Sequence, residues 1–505
     1  MEIQAVEPKS SHTMILICIL IAVFVVPTSI SGTAIALPAI SAELRSQTAS
    51  QQWVVNAFNL TFASFTLAWG GLADVFGSKK AFIAGAGLYF LASVLSWGAG
   101  NIYILDAARA LAGIGGAAIF SCGSAILIQT FSGTQRTRAF ALFGTTAGLG
   151  ITFGPTISGW LLNVADWRDI FVVHAIALSV VLILTFSIPS AVKKAEKPPL
   201  DIAGILLFIV ALFLLMASIT EGTGHGWTDT TTLMFLGTGL LLLICFVTVE
   251  KRSPNPMVNF ALLGNHYFLS MILIPVVASF CFVTLLTWFP TWLIAIKNLS
   301  PLDSGLVMLA LTSPVLVLPM VAGRLVTRGV SANLLLVISL VLFVSGLLLL
   351  WVFNQISISM AQIILSLLLV GTGMGLSAGL VDGIALSVVP QHEVGRAAGI
   401  LNTFRLGSEA IAVAIYGSLM STSVFHALIT SPVSGAAVTE QYLADVVSGN
   451  AFTSANIGQV NWLKNIYTDA FSHTLLVLLV ISLIISLSAA TMMIHHSLKT
   501  QSDAS

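Results

Sequence analysis

Residues 333–353 read NLLLVISLVLFVSGLLLLWVF, twenty-one positions without a charged side chain. Wound as an α-helix at ~1.5 Å per residue, the run is ~31 Å long. That matches the ~30 Å hydrocarbon core of a bilayer. It is apolar all round, with no face to turn toward water. Comparable runs recur near 14–36, 52–72, 82–98, 104–128, 138–162, 171–189, 202–220, 231–249, 267–295, 303–326, 358–388, 397–425 and 471–495, making fourteen expected spans. Transmembrane β-strands alternate in polarity over ~10 residues, and these runs do not, so a membrane barrel is excluded. The first run is too long for a signal-peptide core and lacks a basic leader, so it reads as a retained first helix.

The rest of the composition agrees. Of 505 residues, 57% are apolar and 8% charged, against about 25% charged in a soluble domain. A water-soluble enzyme and a disordered scaffold are excluded. Twenty basic against twenty acidic residues leave no net charge, so nothing marks a nucleic-acid partner. Cys18, Cys122, Cys245 and Cys281 lie inside apolar runs with no metal-site spacing. No metal or other cofactor is expected.

Basic residues accumulate in loops on the cytoplasmic side of a membrane. With both termini placed there, fourteen of the twenty fall inside and Arg45, Arg168, Lys297 and Lys464 outside, with Arg109 and Arg405 in spans. The expected setting is a plasma membrane of bacterial inner-membrane type, crossed many times.

Two charged, proline-marked linkers divide the chain: Lys193-Lys194-Ala-Glu196-Lys197-Pro198-Pro199 and Glu250-Lys251-Arg252-Ser-Pro254-Asn-Pro256. The all-α layout they predict is a cytoplasmic tail at 1–13, a six-helix bundle at 14–190, two inserted helices with linkers at 191–257, and a second six-helix bundle at 258–497. A second tail follows at 498–505, and an external polar loop occupies 430–469. The halves echo one another: Gly70-Gly-Leu72-Ala-Asp74-Val-Phe-Gly77 after the second span has a counterpart in Gly323-Arg-Leu325-Val-Thr-Arg328-Gly329. Related halves about a central site are a common transporter plan.

Four motifs carry a resemblance. Gly70-x-Leu72-Ala-Asp74-x-x-Gly77-Ser-Lys79-Lys80 is similar to motif A of the major facilitator superfamily, although Val75 and Ser78 stand where basic residues are usual. Arg109-Ala-Leu-Ala-Gly113-Ile-Gly115 resembles motif B. Gly150-Ile-Thr-Phe-Gly154-Pro155-Thr-Ile-Ser158-Gly159 resembles motif C, which the superfamily associates with exporters. Gly371-Thr-Gly373-Met-Gly375 and Gly399-Ile-Leu-Asn402-Thr-Phe-Arg405-Leu-Gly407 look like the second half of the fourteen-helix drug:proton antiporter family. Trp167-Arg168 and Leu200-Asp201-x-x-Gly204 fit the same family.

This resemblance implies export of a small-molecule substrate in exchange for protons, with Asp74 and its glycines in a gate. Asp74 is expected to pair with a cation or a helix N-terminus in one transport state only. The bland alternative is a solvated turn with basic flanks. One departure stands out: where many relatives carry an acid in the first helix, this chain has Ser29. The alternative it leaves open is export of an endogenous metabolite, such as a siderophore, in place of cationic drugs. Membrane-fusion or outer-membrane partners leave no mark in the sequence. Uptake is disfavoured by the motif C match, and neither a membrane enzyme's metal cluster nor a channel's ring of pore residues is present.

Ionisable residues inside a span are costly and tend to be functional. Glu409 lies near the middle of its span, on one face with Arg405 and Asn402. Glu409 is the first expected proton carrier and Asp382 the second, with Arg405 and Arg109 as tuning cations. Asp382 lacks a basic partner within its helix and is therefore expected to titrate freely or to pair across helices. The alternatives are a permanent Arg405–Glu409 salt bridge and an Arg109 that snorkels to the interface. Asp106 and His174 read as interfacial. Asn56 and Asn59, with Trp53, Phe58 and Phe62 nearby, are expected to line a substrate cavity, or else to bond neighbouring helices.

Overall fold

The structure is a computed structural model describing residues 9–44, 48–189, 201–253, 260–299, 301–354, 357–390, 393–430, 440–447, 451–454 and 457–502. Both linker cores, 193–199 and 254–256, lie outside the described residues. Among the described residues every regular element is a helix, because only self-satisfied backbone survives in hydrocarbon.

The first compact unit takes in Met1–Phe268, Pro319–Gly329 and Ala378–Leu406. It contains α1 (Lys9–Leu44), α2 (Thr48–Phe76), α3 (Ser78–Trp97), α4 (Ile102–Thr130), α5 (Gly133–Val164) and α6 (Trp167–Leu184). The inserted pair α7 (Ile202–His225) and α8 (Thr230–Glu250) follows, then the short α9 (Phe260–Gly264). Within the unit α1 packs on α5 and α6, α4 on α2 and α3, and α7 on α8.

The second unit comprises Leu269–Leu318, Val330–Ser377 and Gly407–Ser505. Its helices are drawn from α10 (His266–Ala278), α11 (Thr284–Lys297), α12 (Pro301–Thr327), α13 (Ala332–Val352) and α14 (Met360–Ser377). The shorter α15 (Leu380–Ser387) belongs to the first unit, and α16 (Val394–Thr430) is shared between the two. A π-helical turn, Ser279–Val283, joins α10 to α11. The stretch expected as a 430–469 loop instead holds α17 (Glu440–Val447), α18 (Ala451–Ser454) and the first turns of α19 (Ile457–Ser502).

Among the described residues, thirteen helices are long and apolar enough to cross a membrane. The remaining expected run, 52–72, lies in the 29-residue α2. Asn56, Asn59, Thr61, Ser64 and Thr66 lower its apolar character. Several of its polar groups are answered by protein: Thr61 Oγ1 donates to Ala110 O at 2.8 Å and Trp69 Nε1 to Ile114 O at 2.8 Å.

Glycines set the close approaches. A Cβ on Gly154 would lie 2.1 Å from Ser31 Oγ and 3.1 Å from Thr28 Cα, and one on Gly150 would lie 2.8 Å from Phe24 O. From the other side, a Cβ on Gly32 would meet Ser158 Oγ at 2.3 Å. The 150–154 part of the motif is therefore the seam between α5 and α1. Gly159 faces open space. Pro155 continues the helix without an N–H to donate.

The internal echo is also visible in the backbone. Gly77 and Gly329, at matching places, adopt φ of 94° and 96°, conformations that L side chains avoid.

Gly154→Val should destabilise the protein by about 1–3 kcal/mol through overpacking, whereas Gly159→Ala should stay within about 0.5 kcal/mol. Melting temperatures in detergent check the contrast; equal losses at both positions would dismiss the seam.

Candidate functional site

A buried ion pair forms around the break between α14 and α15. Helix α14 ends at Ser377 and Gly379 takes φ 78°. A Cβ there would lie 2.2 Å from Phe140 O, so the site admits glycine alone. The chain restarts as α15 with Asp382 in its first turn. Arg405, on α16, sends Nη2 to both carboxylate oxygens at 2.9 Å and Nη1 to Asn402 Oδ1 at 3.0 Å. The Asp382 side chain is 7% exposed.

Of the two expectations for Asp382, the structure shows pairing across helices, with the arginine expected to serve Glu409. Glu409 itself is half-buried and belongs to the second unit. Its neighbour Ser408 shares a 2.8 Å hydrogen bond with Ser279 of the π turn.

Motif A forms a latch. Asp74 Oδ2 accepts the backbone N–H of Arg396 at 3.1 Å and faces Arg396 Nε at 3.7 Å. The second distance is an ion pair and not a hydrogen bond. Arg396 lies in the first turn of α16, so Asp74 meets a cation and a helix's positive end together. Both expected partners are present at once. Gly399 supports the latch, since a Cβ there would meet Leu67 Cα at 2.8 Å. Gly70 is buried, Leu72 half-buried and Lys80 exposed. Lys79 Nζ donates to Ile188 O.

Arg109 does not snorkel: it is 1% exposed. Its Nε donates to Val54 O at 3.1 Å, Nη1 to Ser29 Oγ at 2.7 Å and Nη2 to Ser29 O at 3.3 Å. The guanidinium lies 4.6 Å from the Phe58 ring centre. His174 is buried rather than interfacial, with Thr28 Oγ1 3.4 Å from its Nε2. Asp106 is half-buried, and its Oδ1 is enclosed. Of the expected cavity amides, Asn402 is buried, Asn56 half-buried and Asn59 exposed.

Two clusters escaped the sequence reading. In the first unit Glu43 accepts Trp167 Nε1 at 2.7 Å and Arg168 Nη1 at 2.6 Å, tying the end of α1 to the start of α6. The Trp167 hydrogen bond and then Arg168 hold the Glu43 carboxyl below its ordinary 4.5. In the second unit Trp288 stacks on Tyr416 at 5.3 Å, and Trp292 packs on Phe289 and Phe471 at 5.2 and 5.7 Å. Both indole N–H groups and the Tyr416 hydroxyl are enclosed without a hydrogen-bond partner. The signal was present in part, as Trp288 and Trp292 one helical turn apart.

Long apolar helices, an ion pair enclosed between spans and glycine seams fit a multi-pass membrane transporter. The chain belongs to the Major Facilitator Superfamily, whose pattern matches residues 19–413. It is similar to the multidrug resistance protein Stp of Mycobacterium tuberculosis, 28% identical over 434 residues covering 84% of this chain and 79% of that one. The tetracenomycin C resistance and export protein of Streptomyces glaucescens is 25% identical over 81% of this chain and 76% of its own. In fold it resembles the proton:xylose symporter XylE bound to 6-bromo-6-deoxy-D-glucose, with a TM-score of 0.61, 13% identity and coverage of 96% and 95%.

Arg405→Ala should cost about 3–5 kcal/mol by stranding Asp382, with a coupling of about 1–3 kcal/mol to Asp382→Asn in a double-mutant cycle. Additive losses in detergent melts would separate the two residues.

The Glu43 contact contributes stability that is complete above the ordinary 4.5 and is lost as pH falls through the lowered value. The side chain is 48% exposed, so the effect is small, about 0–1 kcal/mol. Glu43→Gln should flatten the acid limb of a melting-temperature profile, and an unchanged limb would assign it to other groups.

Proposed function

We propose that the protein exports a small organic molecule in exchange for protons by alternating access. The observation that carries this reading is the Asp74 latch. A carboxylate that joins the end of α2 to both the N-terminus and a side chain of α16 is a contact that must break when the helix ends part. Export is supported by the 150–159 motif, packed on α1, and by relatives named for drug resistance and antibiotic export.

In this reading the chain has fourteen spans, α2 being one of them, arranged as bundles at 14–190 and 258–497 around the inserted pair. Both ends are cytoplasmic, in a bacterial inner membrane. Glu409, Asp382, Arg405 and Arg109 serve proton coupling. Asn56, Asn59 and Asn402 take part in substrate contact, and Trp288 offers a planar surface. The cargo is a drug; a second reading, an endogenous metabolite such as a siderophore, is favoured by Ser29, because Arg109 meets a hydroxyl where many relatives have an acid.

In inside-out vesicles an acid interior should drive accumulation of members of a dye panel spanning cationic, neutral and anionic compounds, and a protonophore should abolish it. Glu409→Gln should remove the gradient-driven part, while Asp74→Asn should slow turnover several-fold with little change in apparent affinity. Accumulation indifferent to the gradient refutes proton exchange. If no dye moves, metabolite comparison between cells with and without the protein decides for the second reading.

A further inference from the structure

Arg109 is a fully buried cation with an unusual set of partners. Among the described residues, every hydrogen bond it makes goes to a neutral oxygen: Ser29 Oγ, Ser29 O and Val54 O. Buried charges are ordinarily answered by opposite charges. One turn earlier on the same helix is Asp106, whose Oδ1 is enclosed and receives no hydrogen bond. An enclosed, unbonded oxygen costs a neutral carboxyl less than it costs a carboxylate. Residues three apart on a helix lie within side-chain reach, so the guanidinium has two alternative partners: the α1 and α2 oxygens it now holds, or Asp106.

We propose that Asp106 is a proton-binding site, and that its protonation decides whether Arg109 bonds α1 and α2 or turns back to Asp106. With the acid protonated, Arg109 ties Ser29 of α1 and Val54 of α2 to α4, as in this structure. When the proton leaves for water the O–H bond breaks, the carboxylate draws the guanidinium, and the ties to α1 and α2 are released. One proton is bound and returned; nothing else is transferred.

The surroundings fit a device of this kind. Arg109 is the charged group acting on Asp106. Around the guanidinium α3 supplies Tyr89, whose hydroxyl faces Arg109 and Ser29, and α6 supplies His174, whose Nδ1 is enclosed and unbonded. Helix α1 contributes the Ser29 oxygens, while α2 adds the Val54 carbonyl and the Phe58 ring. Asp106 is thus the acid of the cluster. The α1 helix that the switch would free is the one seamed to α5 through Gly150 and Gly154.

The role of the switch in transport rests on the proton-exchange reading above; the protonation site itself does not. Infrared pH titration of the purified protein should show a carboxylic-acid band in the wild type that Asp106→Asn removes. Hydrogen exchange in α1, corrected for its intrinsic pH dependence, should rise several-fold with pH in the wild type. It should stay low and flat in Asp106→Asn, and Asp106→Glu should restore the rise with a shifted midpoint. An unchanged band, or a pH-dependent α1 in Asp106→Asn, overturns the proposal. Vesicle accumulation that ignores the proton gradient while the α1 response persists refutes the exchange reading and leaves the site standing.

Discussion

In hydrocarbon no water is available to receive a hydrogen bond, and the rest of this structure follows from that shortage. The backbone answers it by closing on itself as helix after helix. Side chains answer it in the same way where they can: Thr28, Thr33, Thr61 and Ser64 each donate to a carbonyl three or four residues back. Groups that cannot be satisfied locally must find partners on another helix. These long-range partners, Ser29 for Arg109 and Asp382 for Arg405, fix where helices meet. The few charges left in the spans act as fasteners between helices.

Glycine plays the complementary part. Where α1 meets α5, contact is made by backbone and small side chains at distances no Cβ allows. Such a seam has little slack, because dispersion and weak C–H contacts fall away steeply with separation. The Asp74 latch differs in kind, being a single carboxylate against a helix end. In the proposed alternating access, tight seams would keep groups of helices together and a single latch would permit their release. A carrier needs both.

Much of this was legible in the sequence because the dominant signals are local. Continuous apolar runs give the spans, and the Gly77 and Gly329 turns follow from residue type. Helical spacing correctly places Asn402 beside Arg405. What was not legible lies across helices. The partners of Arg109 are 55 and 80 positions away. Arg405 reaches Asp382 across 23 positions that include the break between α15 and α16, so helical periodicity alone does not connect them. Helix α2 was legible as the 52–72 run although polar residues dilute it, several of them answered by neighbouring protein.

The last helix carries a mechanical consequence. Helix α19 has 46 residues, so at ~1.5 Å per residue it is ~69 Å long, more than twice the ~30 Å hydrocarbon core. Even when tilted, such a rod emerges from the lipid. Its first turns, which take up 457–469 of the stretch that reads as a loop, carry Lys464, whose ammonium grips the end of α11 through Ile296 O and Asn298 Oδ1. A rod held at one end and continuous to the other transmits rotation without a joint. The Lys464 clamp at the end of α11 and the far tip of α19 are thus two ends of one unbroken helix.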